Sequence, residues 1–575
     1  MADVSIFNVL GENINIKDNY KKIISTKQFN ITPQSTAEEF KNAISYCVEN
    51  DKILFIENGE YNLTGIGNII LCNLLADNAT IILGDDNLMY NKPTHIEGIN
   101  FIATPNTNGI IRWQSTQGAT ELHIKNCSFK GDGAGVGIRN LTNKSSIVNC
   151  SFTDLDTAII QSNTAFIESE QYVYSNLAIT RCITGIDIEG YINSVTAVGR
   201  LSNVYINNIT HINASESISA GVGHDCILIS FVDNFVIDGV YCEYLGERAI
   251  YCNTCSNGSI SNINAYNTGG VKVAGQNNSE LNAFSHNIAL SNLTNIININ
   301  CGDQSLDIYD SKKINVNGFY FESSAENVGT NGFIRFRGQL DNIVVQNGTT
   351  VDGYRQAIGF EVAGTTKINN VMLNNIKIKN PRIGPSGPII STGLNANSVA
   401  TNVIIDGVDI IYANQLNILQ VPFMNVNYFN NIMIKNCDML LCLFPTVSNS
   451  QNTQFVNNKY LGNERGGWNS GISQFNYNGG NIGSYWSLNP NMSSTCLSNY
   501  GNGITLSAVT VSSLQTVPLP RGSGNCLYSV IGRNLNSVFW FQGGVATRVA
   551  GDTPTIASGE LQLPAGDYLI IGIGY

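Results

Sequence analysis

Val204-Tyr205-Ile206-Asn207-Asn208-Ile209 returns as Val236-Ile237-Asp238-Gly239-Val240, and the phrase they share runs down the chain. It is an apolar residue, a gap, then Asn, Asp or Gly and a further apolar residue. Copies stand at Ile260-Ser261-Asn262-Ile263, Leu290-Ser291-Asn292-Leu293, Val316-Asn317-Gly318-Phe319, Leu373-Asn374-Asn375-Ile376, Ile405-Asp406-Gly407-Val408 and Ile434-Lys435-Asn436-Cys437. Two earlier copies, Ile124-Lys125-Asn126-Cys127-Ser128-Phe129 and Ile147-Val148-Asn149-Cys150-Ser151-Phe152, are nearly identical. Neighbouring copies are mostly about 23 to 32 residues apart, the length of one solenoid repeat.

Short apolar strands broken by Asn, Asp and Gly bury nothing alone; stacked coil on coil they enclose one long core. Asn and Gly tolerate the left-handed backbone of a sharp corner. The pattern has no helical period and lacks the leucine consensus of a horseshoe, so it reads as an all-β parallel β-helix. Composition agrees. The 575 residues are 43% hydrophobic but only 13% charged, with 55 Gly, where ordinary domains carry roughly twice that charge. A net charge of −12 argues against nucleic acid as a partner.

Several of the 14 cysteines occupy apolar strand slots, as Cys127, Cys150, Cys182, Cys226 and Cys242 do, and read as small buried hydrophobes. Cys252-Asn253-Thr254-Cys255 is a lone pair with no second pair at zinc spacing, so neither metal nor other cofactor is expected. Met1-Ala2-Asp3-Val4 opens no secretory signal and no apolar run is long enough to span a membrane, which predicts synthesis in a reducing cytoplasm with free thiols.

Residues 1–35 are polar and read as an attachment segment or a frayed terminus. Ser35-Thr36-Ala37-Glu38-Glu39 begins a short helix over 36–50, with Phe40, Ile44 and Cys47 or Val48 on its apolar face. Lys52-Ile53-Leu54-Phe55-Ile56 is a strand, and Glu57-Asn58-Gly59-Glu60-Tyr61 turns into the next. Such a helix would cover the open end of a solenoid. Coils fill 36–460. Beyond them come Trp468, Trp486, Trp540 and strands at Ser529–Gly532, Val538–Phe541 and Tyr568–Ile571, which predict a β-sandwich-like domain over 461–575.

Helix, apolar strand and Gly-x-Tyr at 36–61, ahead of the coils and the β-rich tail, resemble pectate-lyase-like right-handed β-helices. They are especially similar to bacteriophage tailspikes and capsule depolymerases. The likeness is architectural. The polygalacturonase signatures are missing, and Gly223-His224-Asp225 is a partial echo. The resemblance implies a homotrimer in the virion that binds and cuts a host polysaccharide, capsule or O-antigen, with the N-terminus on other tail proteins. It implies no insertion into the membrane.

Strand alternation predicts which side chains leave the core. Asp187, Glu189, Leu228, Tyr251, Lys272, Asp307, Tyr309, Arg335, Arg337 and Glu361 all fall on outward positions, with His224, Asp225, Glu247 and Arg248 on the lip before their strands. For any one of them, a surface ion pair is the plain alternative. As a stripe in a chain short of charge, they suit a polymer of sugars. Carboxyl groups one coil apart approach the roughly 5–5.5 Å of a retaining glycosidase, and two coils apart the roughly 6.5–9.5 Å of an inverting one. Asp307 with Glu361, two coils apart with Arg335 between, is the first catalytic pair, and Asp225 with Glu247 the second. The remaining stripe residues, Asp187, Glu189, His224, Arg248, Tyr251, Lys272, Tyr309, Arg335 and Arg337, are assigned to substrate binding. The expected activity is endo-acting hydrolysis. A lyase using Lys272, His224 or Tyr251 beside a cation, a non-cleaving adhesin, and a structural virion protein are the alternatives.

Overall fold

The computed structural model describes residues 22–461 apart from 105–108, 115–120, 163–169, 195–196, 214–224, 278–281, 299–303, 324–332, 352–356, 363–365, 381–387, 412–422, 444–445, 449 and 457, together with isolated strands on either side. The chain forms two compact units, Met1–Ile288 with Cys301–Asp303, and Ala289–Asn300 with Gln304–Tyr575. The division falls inside the span that the repeat pattern assigns to one solenoid.

In the first unit a helix, Ala37–Glu49, starts on a capping box: Thr36 accepts from the Glu39 N–H and Glu39 accepts from the Thr36 N–H. Its buried face is Phe40, Ala43, Ile44 and Cys47, with the Phe40 ring 5.4 Å from that of Tyr61. Parallel coils follow. One sheet stacks Thr94–Ala103, Glu121–Lys125, Lys144–Val148, Gln171–Thr180, Leu201–Ile212, Val232–Glu243 and Ser256–Tyr266 in register. A second stacks Leu88–Tyr90, Ile111–Trp113, Val136–Asn140, Thr157–Ser162, Thr184–Glu189, Ile227–Ser230, Arg248–Asn253 and Gly269–Ala274.

Register puts like on like. Ile147, Tyr174, Ile206, Ile237 and Ile260 form one inward column, and all are buried. The rings of Phe101, Phe129 and Phe152 stack at 5.1 and 5.0 Å. Each such side chain contributes about 1.5–3 kcal/mol by leaving water, and none finds that cover within its own coil.

The recurrent Asn does two jobs. Asn126, Asn149, Asn176 and Asn208 have φ of 53°, 54°, 54° and 52°, which bends the strand at each corner. Each amide of the last three also donates to the one before it: Asn149 to Asn126 at 3.2 Å, Asn176 to Asn149 at 2.9 Å and Asn208 to Asn176 at 2.7 Å. The ladder therefore satisfies the corners without charge. Where the phrase reads Asp238-Gly239, Gly239 takes the left-handed corner at φ 67° and Asp238 accepts from Asn262.

The second unit repeats the design. Leu306–Ser323, Ile334–Val351, Lys367–Lys379, Ala400–Ile411 and Phe429–Lys435 are parallel neighbours, and Ile334–Val351 also pairs with Ile358–Glu361, which pairs with Ile390–Thr392. Asn375 donates to Asn347 and Asn347 to Asn317. Toward the C-terminus the pairing turns antiparallel: Met492–Tyr500, Ile504–Val511, Gly566–Gly574, Cys526–Gly532, Asn536–Gln542 and Val545–Gly551 lie in that order, so the expected C-terminal strands are present. Trp468 and Trp486 lie outside the described residues.

The fold is thus all-β, built of parallel β-helical coils with one short capping helix. Ten cysteines, Cys47, Cys72, Cys127, Cys150, Cys182, Cys226, Cys242, Cys252, Cys255 and Cys437, are free thiols and all are buried. No helix among the described residues is long and apolar enough to cross a membrane.

Candidate functional site

The outward stations of the second sheet in the first unit form one column: Arg139, Ile160, Asp187, Leu228, Tyr251 and Lys272 on successive coils. Alternation puts them there, with Ile186, Ile188, Ile227, Ile229, Ile250, Cys252, Val271 and Val273 inside. Asp187 sits between two apolar neighbours, so burial pushes its carboxyl up to about 6. Glu189, two residues along the same face, adds repulsion, and Arg139 opposes both. Glu189 itself is exposed.

At the lip of the next coils Arg248 gathers the other carboxylates. Its Nη1 lies 2.9 Å from Glu247 Oε2 and 3.7 Å from Asp225 Oδ1, which holds those two oxygens no more than roughly 7 Å apart, near the separations used by glycosidases. The backbone N–H of Arg248 also donates to Asp225 at 3.2 Å. Tyr251 lies between two cations, with the Arg248 guanidinium 4.9 Å and the Lys272 ammonium 4.4 Å from its ring centre. Asp225 and Glu247, read from the sequence as the second carboxyl pair, both lie on Arg248, and Asp225 is only 7% exposed. His224 lies outside the described residues.

The second unit carries another group. Asp307, Arg335 and Gly359 share one outward column, and Tyr309, Arg337 and Glu361 the next. Asp307 and Glu361 are therefore two coils apart, with both arginines on the coil between. Arg335 donates Nε and Nη2 to Asp307 at 3.2 and 2.8 Å, and Arg337 donates its own pair at 3.2 and 2.6 Å. Burial would raise the Asp307 pKa, yet the two guanidiniums outweigh it and hold the carboxyl below its usual range. Burial raises Glu361, and Arg335 and Arg337 only partly offset that. Arg335 Nη1 stands 3.8 Å from Glu361 Oε2, and Arg337 lies over the Tyr309 ring at 4.8 Å.

This corrects the expected exposure of Asp307. It points away from the core as alternation requires, but it is 3% exposed, because two long side chains from the next coil fold over it. Its two oxygens accept four hydrogen bonds, all that a carboxylate holds. No acceptor site is left for a water, so Asp307 anchors the arginines.

The sequence reading also missed a charged group on the other sheet of the first unit. His95 pairs with Glu97 at 3.2 Å and Lys125 with Glu97 at 3.6 Å, while His123 and Lys144 reach Glu121 at 3.1 and 3.5 Å. The alternation Glu121-Leu122-His123-Ile124-Lys125 carried that signal. Charge is therefore not confined to one stripe. Among the described residues no group of three or more His, Cys, Asp or Glu is placed to hold a metal.

No protein-family model and no curated protein matches the chain. Solved structures do. The Dettilon tailspike protein is 11% identical at a TM-score of 0.32, over 97% of this chain and 95% of that one. A tailspike mutant of E. coli bacteriophage HK620 in complex with a pentasaccharide is 13% identical at 0.28, over 98% and 96%. The A-module of an Azotobacter vinelandii mannuronan C-5 epimerase is 10% identical at 0.32, over 80% and 100%.

Proposed function

We propose that the protein binds a bacterial surface polysaccharide along the outer face of its coils and cleaves it by endo-glycosidic hydrolysis. One observation carries this reading: Arg248 of the first unit holds Glu247 and Asp225 oxygens within roughly 7 Å of each other, near the spacing of a glycosidase pair. Asp225 and Glu247 are the acid and base: one carboxyl gives its proton to the leaving glycosidic oxygen and the other takes a proton from the attacking water. The glycosidic C–O bond breaks as the new C–O bond forms. Divergent carboxyl environments are how one site holds both an acid and a base near neutral pH. Asp307 and Glu361, first choice on sequence grounds, are assigned to binding, because Asp307 has no acceptor site to spare.

The lyase alternative draws support from Tyr251, a phenol held between Arg248 and Lys272. The polysaccharide reading extends to a homotrimer in a phage tail, made in the host cytoplasm, attached to other tail proteins by residues 1–35 and acting at the cell surface.

The test is turnover on a panel of capsules and O-antigens. Asp225→Asn and Glu247→Gln should each lower turnover by about 10²–10⁴-fold while binding persists. Products carrying a new ultraviolet-absorbing double bond would replace hydrolysis with elimination. Binding without cleavage by the wild type would make the protein an adhesin.

A further inference from the structure

We propose that Arg335 and Arg337 form a subsite for the carboxylate of an acidic sugar residue, so that the polysaccharide bound is an acidic one. This rests on the reading of the protein as a polysaccharide binder. Three features carry it.

The first is charge. A buried carboxylate needs one guanidinium as counter-ion, and Asp307 has two. Asp310 accepts from the Gln339 N–H, and Arg337 is the second cation on a carboxylate that Arg335 already pairs. Its planar fork suits a carboxylate.

The second is unused donors. Asp307 takes Nε and Nη2 of each arginine. Nη1 of Arg337 makes no hydrogen bond among the described residues, and Nη1 of Arg335 stands 3.8 Å from Glu361, too long for one. The Arg337 side chain is 23% exposed. Asp307 on one side and the Tyr309 ring beneath fix its plane, so its free edge is already oriented for a planar anion.

The third is space. The coil after Arg335 presents Gly359 at the same station, and Ser391 follows it. Among the described residues a Cβ on Gly359 would meet only Glu361, Oε1 at 3.4 Å and Cγ at 3.8 Å. That leaves a small recess beside Arg335 with the buried Gly359 at its floor and the Glu361 carboxyl along its side as a donor when protonated.

The experiment uses the full chain and immobilised acidic bacterial capsules, each paired with its own carboxyl-reduced, neutral form. D-glucuronate against D-glucose serves as soluble competitor. Wild type should bind the acidic form roughly tenfold or more tightly than the reduced one, the scale of a charge-assisted pair, and glucuronate should compete where glucose does not. Arg337→Gln should abolish that preference. Gly359→Leu, which fills the recess and keeps both arginines, should do the same, with unchanged thermal unfolding showing that the fold survives. Equal binding of acidic and reduced forms, or a preference that survives both variants, overturns the subsite and leaves polysaccharide binding standing. Binding to no capsule of either kind overturns both.

Discussion

Replacing Asp307 by Asn should be costly to stability. The amide keeps one acceptor oxygen, so two of the four arginine donors lose their partner, and its NH2 group faces donors. Two guanidiniums are left side by side with no carboxylate between them, Arg335 being 9% exposed. Removing one member of a buried ion pair costs about 3–5 kcal/mol. Arg337 can swing toward water and Glu361, 3.8 Å from Arg335, remains as a counter-charge, which places the expected loss near the lower end, about 3 kcal/mol. Two compact units make global unfolding an ambiguous readout. Amide hydrogen exchange in Leu306–Ser323 and Ile334–Val351 is the direct one, and a loss of that size lowers protection there about a hundredfold. The pH dependence has a definite sign. Asp307 is depressed, so its stabilisation is present above the ordinary Asp range near 3.9 and is lost as pH falls through its lower folded value. The variant should differ from wild type at neutral pH and converge with it in strong acid. Glu361 should titrate lower in the variant, since the repulsion of Asp307 is gone. A change in protection under about threefold at neutral pH would refute the clamp and return Asp307 to the catalytic candidates.

Asp187→Asn should act in the opposite sense on stability. Its carboxyl is raised to about 6, so the wild type loses stability as pH rises from the unfolded value near 3.9 through about 6, and the full cost persists above. The variant should be more stable at pH 8 by about 1–3 kcal/mol and equal at pH 3, read by amide hydrogen exchange in Thr184–Glu189. Asn347→Ala should cost about 1–2 kcal/mol by amide hydrogen exchange in Ile334–Val351, since Asn347 has φ 57° and joins Asn317 to Asn375. Asn347→Gly should cost less, because it keeps the corner and loses only the ladder. Thiol titration of native protein should leave the ten buried cysteines unlabelled, and all 14 should react once unfolded.

The coils were legible because period and alternation are local properties of a chain. A phrase such as Leu373-Asn374-Asn375-Ile376 specifies strand, corner and strand by itself, and the structure puts Asn375 at φ 50° as that reading requires. The helix start at Thr36 was legible for the same reason. Which side chains leave the core was legible too, since Ile186, Asp187, Ile188 and Glu189 alternate as written. The sequence cannot show what covers an outward side chain. Asp307 and Asp187 read alike, yet one lies under two arginines and is held ionised, while the other lies between Ile160 and Leu228 and is held near protonation.

What the sequence determined by itself is therefore the all-β solenoid, its corners and its inward and outward faces, because each follows from a few consecutive residues. What only the tertiary structure decided is the state of each carboxyl and with it the division of roles. A carboxyl's charge is set by the side chains stacked on it from the coils above and below, which are 20 or more positions away along the chain, as Arg335 is 28 from Asp307.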